Sequence, residues 1–168
     1  MSADEPVRLW RAYVPRWAHA PLSGDGAARF GGRWNPLGMP TIYATRELST
    51  AWAEYNQGFV QHPALIAQLE LRFARLAELT AADGLAAFGL TKDIHRCEWR
   101  DALDHSLVPE THRLQAELDA GFDGLVYPSF MSPGGTCVAL WRWNTGEGAE
   151  LKVIDPDGRL PETPASWL

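Results

Sequence analysis

Between Gly31 and Glu54 the chain reads GGRWNPLGMPTIYATRELSTAWAE, which gathers two arginines, two tryptophans, a tyrosine and two carboxylates around a Gly/Pro turn. Arg33 carries a planar fork of donors suited to a pyrophosphate, which it can hold by paired, charge-assisted hydrogen bonds. Gly31 and Gly32 leave the backbone bare beside it and so permit close approach of a ligand. The ring of Tyr43 can stack on a flat aromatic cation. Together these residues point to a nucleotide-handling site. Each also has an ordinary role: Arg33 capping a turn, Tyr43 packing in the core, Glu54 as a solvated helix residue. Ser129, after Tyr127-Pro128, is an ordinary turn residue by type. None of the four is specific on its own.

The elements that must position them can be read from periodicity. Arg8 to Val14 alternates as an opening strand, and residues 21–38 form a long loop, a kind of segment that is often functional. Thr41 to Ala44 reads as a short strand. A helix from Glu47 to Asn56 follows, closed by Gly58, with Leu48, Ala51, Trp52 and Tyr55 as its apolar stripe. Glu54 then lies about 100° from the centre of that stripe, on the flank, where a cleft-lining carboxylate would sit. Ala64 to Phe73 is the clearest strand, with Leu65, Ala67, Leu69, Leu71 and Phe73 on one face. Helices are expected at Ala81 to Phe88 and at Glu110 to Ala120, the latter with Gly121 as a left-handed C′ residue. Strands follow at Gly124 to Tyr127, Thr136 to Trp143 and Glu150 to Ile154, with a Pro/Gly loop over 132–135. Strands dominate and do not alternate with helices as in a βαβ pattern, so the fold class is α+β.

Composition narrows the function. With 168 residues, 46% of them hydrophobic and 21% charged, one domain spanning residues 1–168 is expected. The net charge of -6 argues against direct nucleic-acid binding. No run of about 18 apolar residues suggests a membrane span, and the acidic N-terminus lacks the layout of a secretory signal, so a cytoplasmic protein is expected. Cys97 and Cys137 read as small buried hydrophobes. His19, His62, His95, His105 and His112 show no metal spacing. A His95/Cys97 nucleophile pair is disfavoured because its segment is not a convincing strand. No Walker or dinucleotide glycine loop is present. Most of the eight tryptophans belong to the core, with a few available as a stacking platform.

The GGRWNPLGMPTIYAT block, the AWAE helix, GFDGLVYPSF, the following ALWRWN, and the closing RLP with Ser166-Trp167 together resemble the RES-domain proteins. The resemblance implies an ADP-ribosyltransferase-like split β-sheet flanked by a few helices. It further implies the toxin of a bacterial toxin–antitoxin pair acting on NAD+, with an Xre-type antitoxin as partner and a protein target of ADP-ribosylation as one outcome. The family's arginine, tyrosine, glutamate and serine map onto Arg33, Tyr43, Glu54 and Ser129. Cys137 departs from the pattern, which leads one to expect an asparagine-like polar residue there.

On that resemblance, Glu54 stabilises an oxocarbenium-like transition state as the nicotinamide–ribose bond breaks. Arg33 orients the pyrophosphate or adjoining ribose, Tyr43 stacks on nicotinamide, and Ser129 bonds the ribose or Glu54; Trp34 and Asn35 are expected to line the same pocket. The acceptor is water, phosphate or a protein side chain. Two other classes compete. A non-catalytic nucleotide- or carbohydrate-binding module built on the tryptophans would not need Glu54, and a regulatory protein would serve only to bind a partner.

Overall fold

The structure is a computed structural model that describes residues 5–58 and 60–167. The acidic start at residues 1–4 lies outside them. In chain order come β1 (Val7–Tyr13), α1 (Asp25–Phe30), β2 (Ile42–Thr45), α2 (Leu48–Asn56), β3 (Leu65–Arg72) and β4 (Leu76–Glu78). Then follow α3 (Ala82–Ala87), α4 (Trp99–Asp104), α5 (Glu110–Leu118), β5 (Gly124–Pro128), β6 (Thr136–Leu140) and β7 (Glu150–Val153). A 3₁₀ turn at Lys92–Arg96 precedes α4.

Seven strands make one sheet in the order β4-β5-β6-β2-β1-β3-β7. β1 pairs with β3 along its whole length, from Val7–Leu71 to Tyr13–Leu65. With β2 it shares a single position, Trp10–Thr45. The sheet therefore parts between β1 and β2, and its two halves curl toward each other. Alternation along the strands decides which side chains meet. Leu9, Ala67, Leu69 and Leu71 from one half share a core with Ile42, Ala44, Val126 and Val138 from the other. The opposite face of β5 and β6 presents Leu125 and Ala139 to Leu85 of α3, Leu114 and Leu118 of α5, and Ile94. Each half thus buries one face in a shared core, an α+β arrangement consistent with the strand-rich reading.

Several local expectations are corrected. The 21–38 segment is not all loop, because Asp25–Phe30 turns as a short helix. Of the expected stripe Leu48, Ala51, Trp52 and Tyr55, α2 buries only Ala51; Leu48 and Trp52 stand 46% and 38% exposed. Its buried residues are Thr50, Ala51 and Asn56. The contact ridge is Glu47, Thr50, Ala51 and Glu54, which has the same helical spacing but runs through polar residues that find partners on the β5–β6 side. Phe73 leaves the buried face of β3: its φ is 57° and it lies 47% exposed, past the end of the strand. Gly121 is not a left-handed cap, since α5 ends on Asp119 in right-handed conformation and Gly121 has no positive φ. β6 stops at Leu140, three residues before the expected Trp143.

Candidate active site

A cleft of about 840 Å³ opens where β1 and β2 part, a size ordinary for a small-molecule site. Arg33, Tyr43, Glu54 and Ser129 all line it, brought together from a turn, a strand, a helix and a loop. Trp34 and Asn35 do not.

The turn shows why. Residues 32–35 close on themselves, with the Gly32 amide donating to the Asn35 carbonyl at 3.0 Å. Trp34 is fully buried against the Tyr127 ring, centroids 5.5 Å apart. Asn35, also fully buried, donates its side-chain amide to the carbonyls of Ala27, Pro36 and Met39. Tyr43 locks the two: its hydroxyl accepts from the Trp34 amide at 2.9 Å and donates to Asn35 Oδ1 at 2.7 Å. Burial raises that phenol far above its ordinary range. Its hydroxyl is thus a fixed neutral hydrogen-bonding group, and the ring supplies the cleft wall. Gly31 and Gly32 both line the cleft, as expected, and the lack of a side chain at Gly32 also serves packing within the turn. A Cβ there would fall 2.5 Å from the Tyr43 hydroxyl and 2.6 Å from Asn35 Oδ1. Glycine is needed at this point for internal packing, with its carbonyl accepting from His112 Nε2 at 2.7 Å.

With its neighbours buried, Arg33 is the side chain that this turn presents. Its Nη1 donates to the carbonyls of His95 and Cys97, each at 3.2 Å. The remaining guanidinium nitrogens take no protein partner among the described residues. His95 and Cys97 therefore matter through their backbones, not as a nucleophile pair. The His95 ring sits on the Leu79 carbonyl at 2.9 Å, and Cys97 Sγ lies 3.8 Å from Thr111 Oγ1. Cys97 is only partly buried, where a small buried hydrophobe was expected.

Glu54 is held through one oxygen. Oε1 accepts from Ser129 Oγ at 2.6 Å, the Met131 amide at 3.4 Å and Cys137 Sγ at 3.6 Å. The Ser132 amide donates to Ser129 Oγ at 2.9 Å, so the serine proton is directed to the carboxylate. Oε2 takes no hydrogen bond from the described residues. The loop that carries Ser129 is seated on α2: Glu47 Oε2 accepts the Thr136 amide at 2.9 Å, and Gly135 packs directly on Thr50. Cys137 is buried on β6, and burial followed by the Glu54 charge raises its thiol well above the ordinary range. It acts as a neutral weak donor.

The sequence reading missed several lining residues. Tyr127 and Cys137 occupy the cleft-facing positions of β5 and β6, opposite one another in register. Their alternation with buried Val126 and Val138 was the available signal. Arg11, His95, Trp99 and Arg100 also contribute, along with Trp10. Of the tryptophans expected as a platform, Trp10 and Trp99 reach the cleft.

The RES domain model matches residues 8–162, nearly the whole chain and every residue of this site. The chain belongs to the RES-domain family. The fold of this RES protein is also that of a chain in the crystal structure of the M. tuberculosis MbcT–MbcA toxin–antitoxin complex. The two share 20% identity over 90% of this chain and 83% of that one, with a TM-score of 0.65. A search of curated protein sequences finds no match. Among the described residues of this RES protein, no helix is long and apolar enough to cross a membrane.

Proposed function

We propose that this RES protein is the toxin of a toxin–antitoxin pair and that it acts by cleaving the nicotinamide–ribose bond of NAD+. The observation that carries the reading is Glu54, a cleft carboxylate fixed through Oε1 by Ser129 with Oε2 left unpartnered. Breaking this bond releases neutral nicotinamide and leaves positive charge on the ribose. A fixed carboxylate stabilises that charge without reorganising as it develops. Oε2 is the oxygen available to the ribose, while Oε1 keeps the carboxylate oriented. Arg33, with Nη1 committed to the protein, turns its free donors to the pyrophosphate, and Tyr43 offers its ring to the nicotinamide. No metal is assigned a part.

Family membership and the structural likeness to a protein from a toxin–antitoxin complex support the toxin assignment. The partner in this reading is a cognate Xre-type antitoxin that covers the cleft. ADP-ribose passes to water, to phosphate or to a protein target, and the protein works in the cytoplasm. Nicotinamide release from NAD+ by the purified protein, with and without phosphate and beside Glu54→Gln, tests the reaction. Release that disappears in Glu54→Gln supports it, and its phosphate dependence names the acceptor. No release, and no transfer of labelled ADP-ribose to protein in a lysate, would overturn it.

A further inference from the structure

Four charged side chains line the cleft: Arg11, Arg33, Arg100 and Glu54. Three arginines against one carboxylate give it a local balance of +2, in a chain whose net charge is -6. None of the three arginines forms an ion pair among the described residues. Such a cation-rich cleft concentrates anions against the field of the whole molecule.

Arg100 is exposed at the rim and rests on the Gln57 side-chain oxygen at 2.9 Å, where water compensates its charge. Arg11 is different. It lies partly buried on β1, next to Trp10, the residue at which β1 and β2 last touch. Its one hydrogen bond runs from Nη1 to the Pro21 carbonyl at 2.6 Å, and the Tyr13 ring lies 5.8 Å away. Burial lowers its guanidinium to about 10. Tyr13 offers no counter-charge, because burial raises its phenol and keeps it neutral. A guanidinium withdrawn from water without a carboxylate is costly, and folds tolerate such a charge where a ligand completes it.

We infer that Arg11 is a second phosphate-binding residue of the cleft, whose missing counter-ion is a phosphate group held where β1 and β2 part. It complements Arg33, which approaches from the turn before β2. The phosphate is either part of the dinucleotide or free inorganic phosphate. The inference borrows from the proposed NAD+ reading only the identity of the dinucleotide, not the anion chemistry.

Calorimetric titration with ADP-ribose, inorganic phosphate and phosphate-free nicotinamide riboside tests it on wild type, Arg11→Gln, Arg11→Lys and Arg8→Gln. Arg8 is an exposed arginine on the same strand, outside the cleft, and controls for net charge. Arg11→Gln should lose about ten- to a hundredfold in affinity for a phosphate ligand, with nicotinamide riboside and the Arg8→Gln protein unaffected. Loss for ADP-ribose assigns the dinucleotide's own phosphate; loss confined to inorganic phosphate assigns a free anion. Without ligand, Arg11→Gln should melt no lower than wild type, since an unpaired charge has been removed. Unchanged affinity for both phosphates overturns the inference. So does an Arg11→Gln protein that melts lower and is rescued in stability by Arg11→Lys with no effect on anion binding. Wild type that binds these phosphates but neither releases nicotinamide nor transfers labelled ADP-ribose to protein in a lysate sinks the proposed reaction and leaves this inference standing. Normal release with phosphate affinities untouched in Arg11→Gln does the reverse.

Discussion

The two sides of the cleft hold their charges by different means. Arg33 is fixed by main-chain carbonyls from a segment more than sixty residues away, whereas Glu54 is fixed by a hydroxyl, an amide and a thiol from one short loop and the strand after it. A carbonyl clamp does not depend on which side chains occupy positions 95 and 97. It depends on where the 3₁₀ turn sits. The carboxylate clamp depends directly on Ser129. Side-chain substitution should therefore damage the Glu54 side at once, and the Arg33 side only by moving its backbone.

The largest effect expected on this contrast is Glu54→Gln, which keeps shape and removes charge. Turnover should fall by about a thousandfold or more while NAD+ still binds, seen by pairing nicotinamide release with calorimetry. Arg33→Lys should follow, because the point charge of an ammonium cannot reproduce the planar fork of the guanidinium. Affinity for ADP-ribose should drop by about ten- to a hundredfold, and unchanged binding would make Arg33 structural. Ser129→Ala removes one charge-assisted bond, so kcat should fall about tenfold or more with little change in KM.

Tyr43→Phe strips the partner from the buried Trp34 amide and from Asn35 Oδ1, and should cost about 1–3 kcal/mol in denaturant unfolding. The smallest effect concerns His95. Burial lowers its pKa below the ordinary imidazole value, the Leu79 carbonyl opposes that, and the Arg33 charge adds to it. Its Nδ1 is buried with no partner among the described residues, so an added proton has no acceptor. The unfolded chain then binds the proton more readily than the native one. Stability is fully present above the unfolded imidazole pKa of about 6.5 and declines as pH falls through it toward the lowered native pKa. A pH series of melting temperatures should show this decline, and His95→Gln should flatten it.

Much of this architecture was legible in the sequence. The alternation of Leu65 to Leu71 and the turn signals around Gly134 located β3 and the β5–β6 loop, because burial and backbone conformation leave local marks. Arg33 and Glu54 stood out because bare glycines and an amphipathic helix flanked them. What misled was the assumption that α2 buries its most apolar stripe. Glu47 and Thr50 pack inward because the β5–β6 loop supplies amide and hydroxyl partners, which no spacing rule reveals. Trp34 and Asn35 were misplaced for a related reason. An RWN triplet does not say which of three neighbours a tight turn will present, and Tyr43, eight residues from Asn35, decides it. Arg11 carried no motif, and its unusual position emerges only when the sheet parts beside it.

The distance along the chain between the clamps and the groups they hold bears on biosynthesis. Arg33 and Glu54 leave the ribosome early, but the carbonyls that hold Arg33 come with residues 95 and 97, and the hydroxyl that holds Glu54 with residue 129. The strand that seats the Ser129 loop on α2 begins only at Thr136. A nascent or prematurely ended chain that stops before Thr136 therefore has the charges and the groups that hold them, but lacks the strand that seats the Ser129 loop. On the proposed toxin reading, activity would begin only once this strand is made, which would give a cell an interval in which to have the proposed antitoxin already waiting.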